Sequence, residues 1–241
     1  MSENSAFYFN NFELHFSGRH IYYVLGDRDI GLHLVRSERL RAGEPLSAIT
    51  ADFARRYGLA ARLLPATDDR LRTRIVTAGG ELAFQEWLVG RRAADQVGAV
   101  RFDGVPGARP APGVLEAIES ADAIVLAPSN PYVSLDPILA VDGVRAAVTA
   151  RRDDVVAITP MIGSAAVKGP LAGMLESLGR DVSAVGVASL LAPLAAAFVL
   201  DSADGCRARE IEALGLRAIV APTLMHDAES AAALARAALA L

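Results

Sequence analysis

Residues able to do chemistry gather in a few short clusters. Gly26-Asp27-Arg28-Asp29 sets two carboxylates either side of a guanidinium. Carboxylates this close can bind Mg2+ or take a proton from a hydroxyl. The plainer alternative is an arginine paired with its neighbours and an aspartate capping the next helix. In Pro128-Ser129-Asn130-Pro131 the second proline pushes Asn130 to an extended conformation. Ser129 can then offer its hydroxyl and backbone N–H to a phosphate at the helix that follows. Residues 163–170 contain Lys168, the single lysine beside 23 arginines. Lysine is a mobile point charge where arginine's planar fork would not fit, and a cation at a helix start makes better sense with a bound anion. Residues 201–204 and 223–227 complete the set, although Ser, Asn and Asp after strands also serve as turn formers and caps.

Most of these clusters follow a short aliphatic run, and that is where an architecture would put a site. The runs at 123–128, 155–160, 197–201 and 217–222 are near-continuously apolar, as strands buried on both faces of a parallel sheet are. Helical segments are expected between and after them at 135–150, 168–178, 206–214 and 227–241. The pattern predicts an α/β fold: an open, doubly wound, mostly parallel Rossmann-like sheet with helices on both faces. Ligands of such sheets bind outside the carboxyl ends of the strands. Earlier in the chain, 21–24 reads as a strand and 30–41 as a helix. Ser47 suits the N-cap of a helix over 48–57, with Gly58 as its stop. A short strand is expected at 61–65, and a hairpin at 74–77 and 81–84 turning on Ala78-Gly79-Gly80. These form a smaller helical and hairpin insertion, and 102–113, rich in proline and glycine, is the linker candidate. The expected organisation is an atypical segment over 1–20, a helical and hairpin region over 21–113, and a Rossmann-like half over 114–241.

Composition excludes several classes. The chain has 241 residues, 52% hydrophobic and 22% charged, which suits a packed core rather than a disordered chain. A net charge of −4 carries no polybasic signature for nucleic acid or an anionic membrane. One cysteine, Cys206, allows no internal disulfide. No run makes a clean membrane span, not even the apolar stretch at 184–200, which is interrupted by Gly and Pro; a soluble, cytoplasmic protein is expected. No Walker A loop, GxSxG or histidine zinc spacing is present. His33 can approach a site from its helix, His226 lies in the last strand-end loop, and Asp68-Asp69 reads as a solvated turn. Trp87 and Phe84 read as packing residues.

Taken together, LGDRDIGLHLVRSERLRAGEPLSAITADFARRYGL, LLPATDD, FQEWLVGRR, ADAIVLAPSNPYVSLDPILAVDGVR, AITPMIGSAAVKGP and APTLMHD resemble the 2-phospho-L-lactate transferase family, CofD or FbiA, of coenzyme F420 biosynthesis. The resemblance implies transfer of a phospholactyl or phosphoenolpyruvyl group to the deazaflavin FO from a guanosine diphosphate-linked three-carbon acid. FO's terminal hydroxyl attacks the phosphorus and GMP leaves, normally with Mg2+ as cofactor. On this reading Asp27 and Asp29 are catalytic, and Arg28 helps hold FO. Ser129, Asn130 and Ser134 hold donor phosphate or nucleotide, Lys168 neutralises a donor phosphate, and Thr223 and Asp227 line the same crevice. The metal ligands stay unknown.

The chain departs from the family pattern at its start. The glycine-rich GG-T/V-G loop, the TGDD-like motif and the SPDxD motif have no match, and residues 1–20 look unlike the family. The expectation is therefore a chain short of an N-terminal portion, binding ligand poorly and turning over little. An exposed sheet edge would then favour a homo-oligomer. The competing function is a non-catalytic nucleotide-sugar-binding regulator of the YvcK type, and a split enzyme completed by another chain is a third reading.

Overall fold

The computed structural model describes residues 12–16, 19–23 and 26–240. The chain opens with an antiparallel pair, β1 (Phe12–Phe16) and β2 (Arg19–Tyr23), the second covering most of the expected strand. Helix α1 (Asp27–Arg41) starts three residues earlier than expected and buries none of its side chains. It is tied to α2 (Leu46–Arg56) by Arg39, whose Nη1 donates to Asp52 Oδ2 at 2.8 Å. Pro45, not Ser47, caps α2. Ser47 instead turns to the next loop, donating its N–H and hydroxyl to the Asp68 carboxylate at 2.6 and 2.7 Å. Asp69 accepts the Arg109 N–H at 2.8 Å, so the Asp68-Asp69 pair is a tether, not a solvated turn. Gly58 does stop the helix, at φ +66. The strand expected at 61–65 is irregular chain.

The insertion is an antiparallel sheet of order β4-β3-β5, built from β3 (Arg72–Thr77), β4 (Gly80–Ala83) and β5 (Ala99–Asp103). The hairpin turns on Ala78-Gly79 with Thr77 opposite Gly80, one residue tighter than expected. A π-type turn, Glu86–Gly90, carries Trp87 into a small core with Ile75, Val97 and Met174. The linker candidate begins inside β5 and is stitched down: Ala108 and Ala111 are buried, and Ala111 N–H reaches Ala66 O at 3.1 Å.

Beyond α3 (Val114–Ser120) comes the parallel sheet. Its first strand is β6 (Ile124–Leu126). The helix expected at 135–150 is broken into α4 (Asp136–Leu139) and α5 (Val144–Ala150), because Gly143 takes φ +75 at the start of the second piece. There follow β7 (Val155–Ile158), the two-residue hairpin strands β8 (Met161–Ile162) and β9 (Ala165–Ala166), and α6 (Leu171–Ser177). The composition of 184–200 hides a helix, α7 (Ala184–Leu191), packed directly before β10 (Ala197–Asp201). A 3-10 turn (Ser202–Arg207), α8 (Ala208–Ala213), β11 (Arg217–Ala221) and α9 (Ala228–Leu239) complete the described chain; Leu241 lies outside it.

The four strands run parallel in the order β6-β7-β10-β11. Side chains alternate across a strand, so each strand feeds two cores. Val155 and Ala157 with Phe198 and Leu200 meet α5, α7 and α8 on one face. Val156, Ile158, Ala197 and Val199 meet Leu234 and Ala238 of α9 on the other. The sheet therefore has helices on both faces, as the apolar runs implied, and all its strand ends point the same way.

Candidate active site

A cavity of about 410 Å³ opens beyond the carboxyl ends of the parallel strands. Ser129, Asn130 and Ser134 line one side, Lys168 and Gly169 another, and Thr223, Leu224 and Met225 a third. Phe84 reaches it from the insertion, and Thr159 and Pro160 from the end of β7. Five of the expected site residues, Ser129, Asn130, Ser134, Lys168 and Thr223, thus meet in one place.

Their local chemistry differs. Asn130 is spoken for: its Oδ1 accepts the Tyr132 N–H at 3.0 Å, capping the π-type turn Pro131–Leu135, and its Nδ2 lies 3.3 Å from Met174 Sδ. The extended backbone expected before Pro131 is present, at φ −66 and ψ 117. Thr223 is also committed, donating its N–H and hydroxyl to Asp201 Oδ2. Burial pushes the Asp201 carboxyl up, but the N–H groups of Ala203 and Thr223 and the Thr223 hydroxyl outweigh it and hold the group below the usual carboxylate range. In contrast, the Ser129 and Ser134 hydroxyls and the Lys168 ammonium make no hydrogen bond or ion pair among the described residues. Lys168 precedes α6 by three residues rather than starting it, because Gly169 takes φ +79 and Pro170 is the cap. It is the only charged side chain lining the cavity among the described residues. A lone free ammonium in a cavity shared with two free hydroxyls is suited to an anion.

Four expected residues do not line this cavity. Asp27, Arg28 and Asp29 sit exposed in the first turn of α1, with Gly26 as cap and Asp27 Oδ1 accepting the Arg28 N–H at 2.8 Å. Two carboxylates in a first turn complement the helix dipole, which accounts for part of the motif without catalysis. Asp227 caps α9 in a reciprocal capping box with Ser230, whose N–H and hydroxyl hold the Asp227 carboxyl below its ordinary value. His33 bonds Arg36 on exposed α1, the backbone N–H of His226 donates to Ser230, and neither histidine lines the cavity. Leu224 and Met225 belong to the 223–227 cluster, whereas Phe84, which reads as packing in the sequence, is a lining residue. Phe84 stands next to Trp87, and only the fold shows that one faces the cavity while the other, 1% exposed, donates Nε1–H to Asp95 O.

Among the described residues no group of three or more His, Cys, Asp or Glu is arranged to hold a metal, and the cavity lining holds no carboxylate. No helix of the described chain is long and apolar enough to cross a membrane.

Comparison with known proteins agrees with the fold and narrows the chemistry. Two solved structures of a Bacillus halodurans protein of the UPF0052 family share the fold at 16% identity. Their TM-scores are 0.60 and 0.61, covering 89% and 86% of this chain and 72% and 71% of theirs. The chain is 42% identical over 225 residues to a phosphoenolpyruvate transferase of Streptomyces griseus, spanning 91% of this chain and 71% of that protein. It is 36% identical over 211 residues to a 2-phospho-L-lactate transferase of Methanosarcina acetivorans, spanning 88% and 68%. The family model for 2-phospho-L-lactate transferase CofD matches residues 3–223, so the likeness extends into the first twenty residues that had looked unrelated. With the family covering nearly all of its length, the chain belongs to the CofD family of 2-phospho-L-lactate transferases and is an enzyme of the transferase class.

Proposed function

We propose that the chain transfers a phospholactyl or phosphoenolpyruvyl group from a guanosine diphosphate-linked donor to the deazaflavin FO, releasing GMP, in coenzyme F420 biosynthesis. The observation that carries this reading is the cavity in which Lys168 is the one charged residue among the described lining, flanked by the free hydroxyls of Ser129 and Ser134. A diphosphate is the part of the donor that needs such a place. Lys168 neutralises a phosphate oxygen as charge builds on the departing GMP, while Ser129 and Ser134 donate hydrogen bonds that orient it. Asn130 and Thr223 act through shape: their polar groups are spent on holding the loops, so they fix the cavity wall more than they bind.

The acceptor is assigned to the α1 side, where Arg28 would hold FO; Asp27 and Asp29, exposed in the first turn of α1, are the acidic residues that would face it there. Magnesium, where it takes part, would come with the donor phosphates and neutralise their charge; no step is assigned to it. Among the described residues β6 ends the parallel sheet and pairs only with β7, and an open sheet edge favours association of two copies. Fluorescence titration with FO, set against a UDP-sugar, tests the assignment, followed by a transfer assay with FO, donor and Mg2+. Weak FO binding and slow GMP release are expected, in keeping with the sequence reading; response to the UDP-sugar alone would make the protein a nucleotide-sugar sensor instead.

A further inference from the structure

The turn after the central strand β10 fastens two walls of the cavity with two carboxylates. Asp201 holds the loop after β11 through Thr223. Asp204, three residues on, holds the loop after β7: its Oδ2 accepts the Gly163 N–H at 2.9 Å. Gly163, at φ +59, is at the tip of the β8–β9 hairpin, where Ile162 faces Ala165. The base of that hairpin is closed by Val167 N–H donating to Pro160 O at 3.0 Å, and the next residue is Lys168. The segment carrying the lysine is thus gripped at its tip by Asp204 and at its base by Pro160.

Asp204 is 7% exposed and, among the described residues, has no cation beside it and no other hydrogen bond. A buried carboxylate with one partner is a costly way to close a turn, and a hydrophobic residue would pack there at less expense. What the carboxylate supplies is reach: it spans 41 residues of sequence to a backbone N–H on the arm that ends in Lys168.

We propose that Asp204 is a positioning residue, holding the β8–β9 hairpin so that Lys168 is presented to the anion cavity. This rests on the reading of the cavity as a phosphate site. Without the tether the hairpin tip is released, and the ammonium must be ordered at the moment of binding.

The chain's single lysine makes the test direct. An amine-reactive acylating reagent, followed on the Lys168 peptide by mass spectrometry, reports one side chain, and inorganic pyrophosphate is the probe. Pyrophosphate is expected to protect Lys168 in the wild-type protein. Asp204→Ala is expected to need about tenfold more for half-protection, and Asp204→Asn to stay near wild type, because its amide oxygen still accepts from Gly163. A purely structural role would lower the melting midpoint without this separation of the two variants. Equal half-protection in Asp204→Ala and wild type would overturn the proposal, as would an Asp204→Asn as poor as the alanine variant. Should Asp204→Ala not fold, Asp204→Glu replaces it: the carboxylate displaced by one methylene is expected to weaken protection, and a wild-type value would overturn the idea. Failure of millimolar pyrophosphate to protect wild-type Lys168 would remove the phosphate reading itself and this one with it. Loss confined to the Asp204 arm would leave the phosphate reading standing.

Discussion

Thr223 gives both its backbone N–H and its hydroxyl to a single oxygen of Asp201, each at 2.8 Å. The other oxygen of Asp201 accepts the Ala203 N–H at 2.9 Å. One buried carboxylate therefore joins the end of the central strand, the turn after it and the loop after the neighbouring strand, fixing one wall of the cavity.

Removing that carboxylate should destabilise the protein. Asp201→Ala leaves the buried N–H and hydroxyl of Thr223, and the exposed Ala203 N–H, without this acceptor, and is expected to cost about 2 kcal/mol in urea unfolding. Thr223→Val loses only the hydroxyl bond and is expected to cost about 1 kcal/mol. The folded protein holds the Asp201 carboxyl below its ordinary value, so its contribution is complete above about pH 4 and fades as pH falls through the folded value. The stability gap between wild type and Asp201→Ala should narrow below about pH 4; a gap unchanged by acid would remove the carboxylate from the account.

Lys168 should be needed for ligand and not for folding. It makes no hydrogen bond or ion pair among the described residues, so Lys168→Gln is expected to leave the melting midpoint unchanged. Pyrophosphate affinity, followed by calorimetry, should fall about tenfold with the charge-assisted contact gone. Lys168→Arg keeps the charge but brings a planar fork to a point-charge site, and an intermediate loss is expected. Unchanged affinity in both would remove the lysine from anion binding.

The Tyr132 hydroxyl is buried without a hydrogen-bond partner among the described residues, while its ring packs between the main core and the Trp87 core. Burial pushes the pKa of the hydroxyl up, and the nearby Arg180 guanidinium pulls it the other way. Deleting an unsatisfied hydroxyl removes a desolvation cost and leaves the ring packing intact. Tyr132→Phe is therefore expected to unfold at the same or a higher denaturant concentration, with a gain of up to about 1 kcal/mol. A loss of that size would show that the hydroxyl is satisfied.

Much of the fold was legible because buried parallel strands leave a plain mark. Residues 197–201 are apolar up to their last position, and the strand has those bounds. The cavity was legible for the same reason, since strand ends of one sheet must face one way. What escaped was decided by partners distant in the chain. Ser47 reads as a cap until Asp68 is seen to take both its donors. Asp227 reads as a ligand residue until Ser230 closes its capping box. Asp27 and Asp29 stand exposed at the start of α1, a placement their spacing in sequence did not reveal.

Helix α7 escaped for a different reason, and it yields the sharpest test of packing. Ala184, Gly186, Val187, Ala188 and Leu191 are all buried, so the helix is apolar nearly all round and shows no amphipathic period to read. Its start is marked only by Ser183, whose Oγ accepts the N–H groups of Val185 and Gly186 at 3.1 and 3.3 Å. Within it Gly186 looks like a defect, since helix propensity favours alanine there by about 1 kcal/mol. The geometry reverses that sign. A Cβ on Gly186 would stand 1.8 Å from the Asp181 carbonyl oxygen and 2.8 Å from its carbon. Backbone cannot swing aside as a flexible side chain can, and Asp181 is itself held by the Ser183 hydroxyl at 2.6 Å and by Arg207 at 3.1 Å. Gly186→Ala must therefore push α7 off the turn before it, disturbing the face that covers Phe198 and Leu200 of the sheet. A loss of about 3 kcal/mol or more is expected in urea unfolding, in the range of overpacked cores. The neighbouring Gly173 in α6 meets nothing within 4 Å, so Gly173→Ala should instead be neutral or stabilising by propensity alone. Two glycine-to-alanine changes of opposite sign in adjacent helices would establish that close backbone approach, and not helix propensity, holds α7 against the sheet.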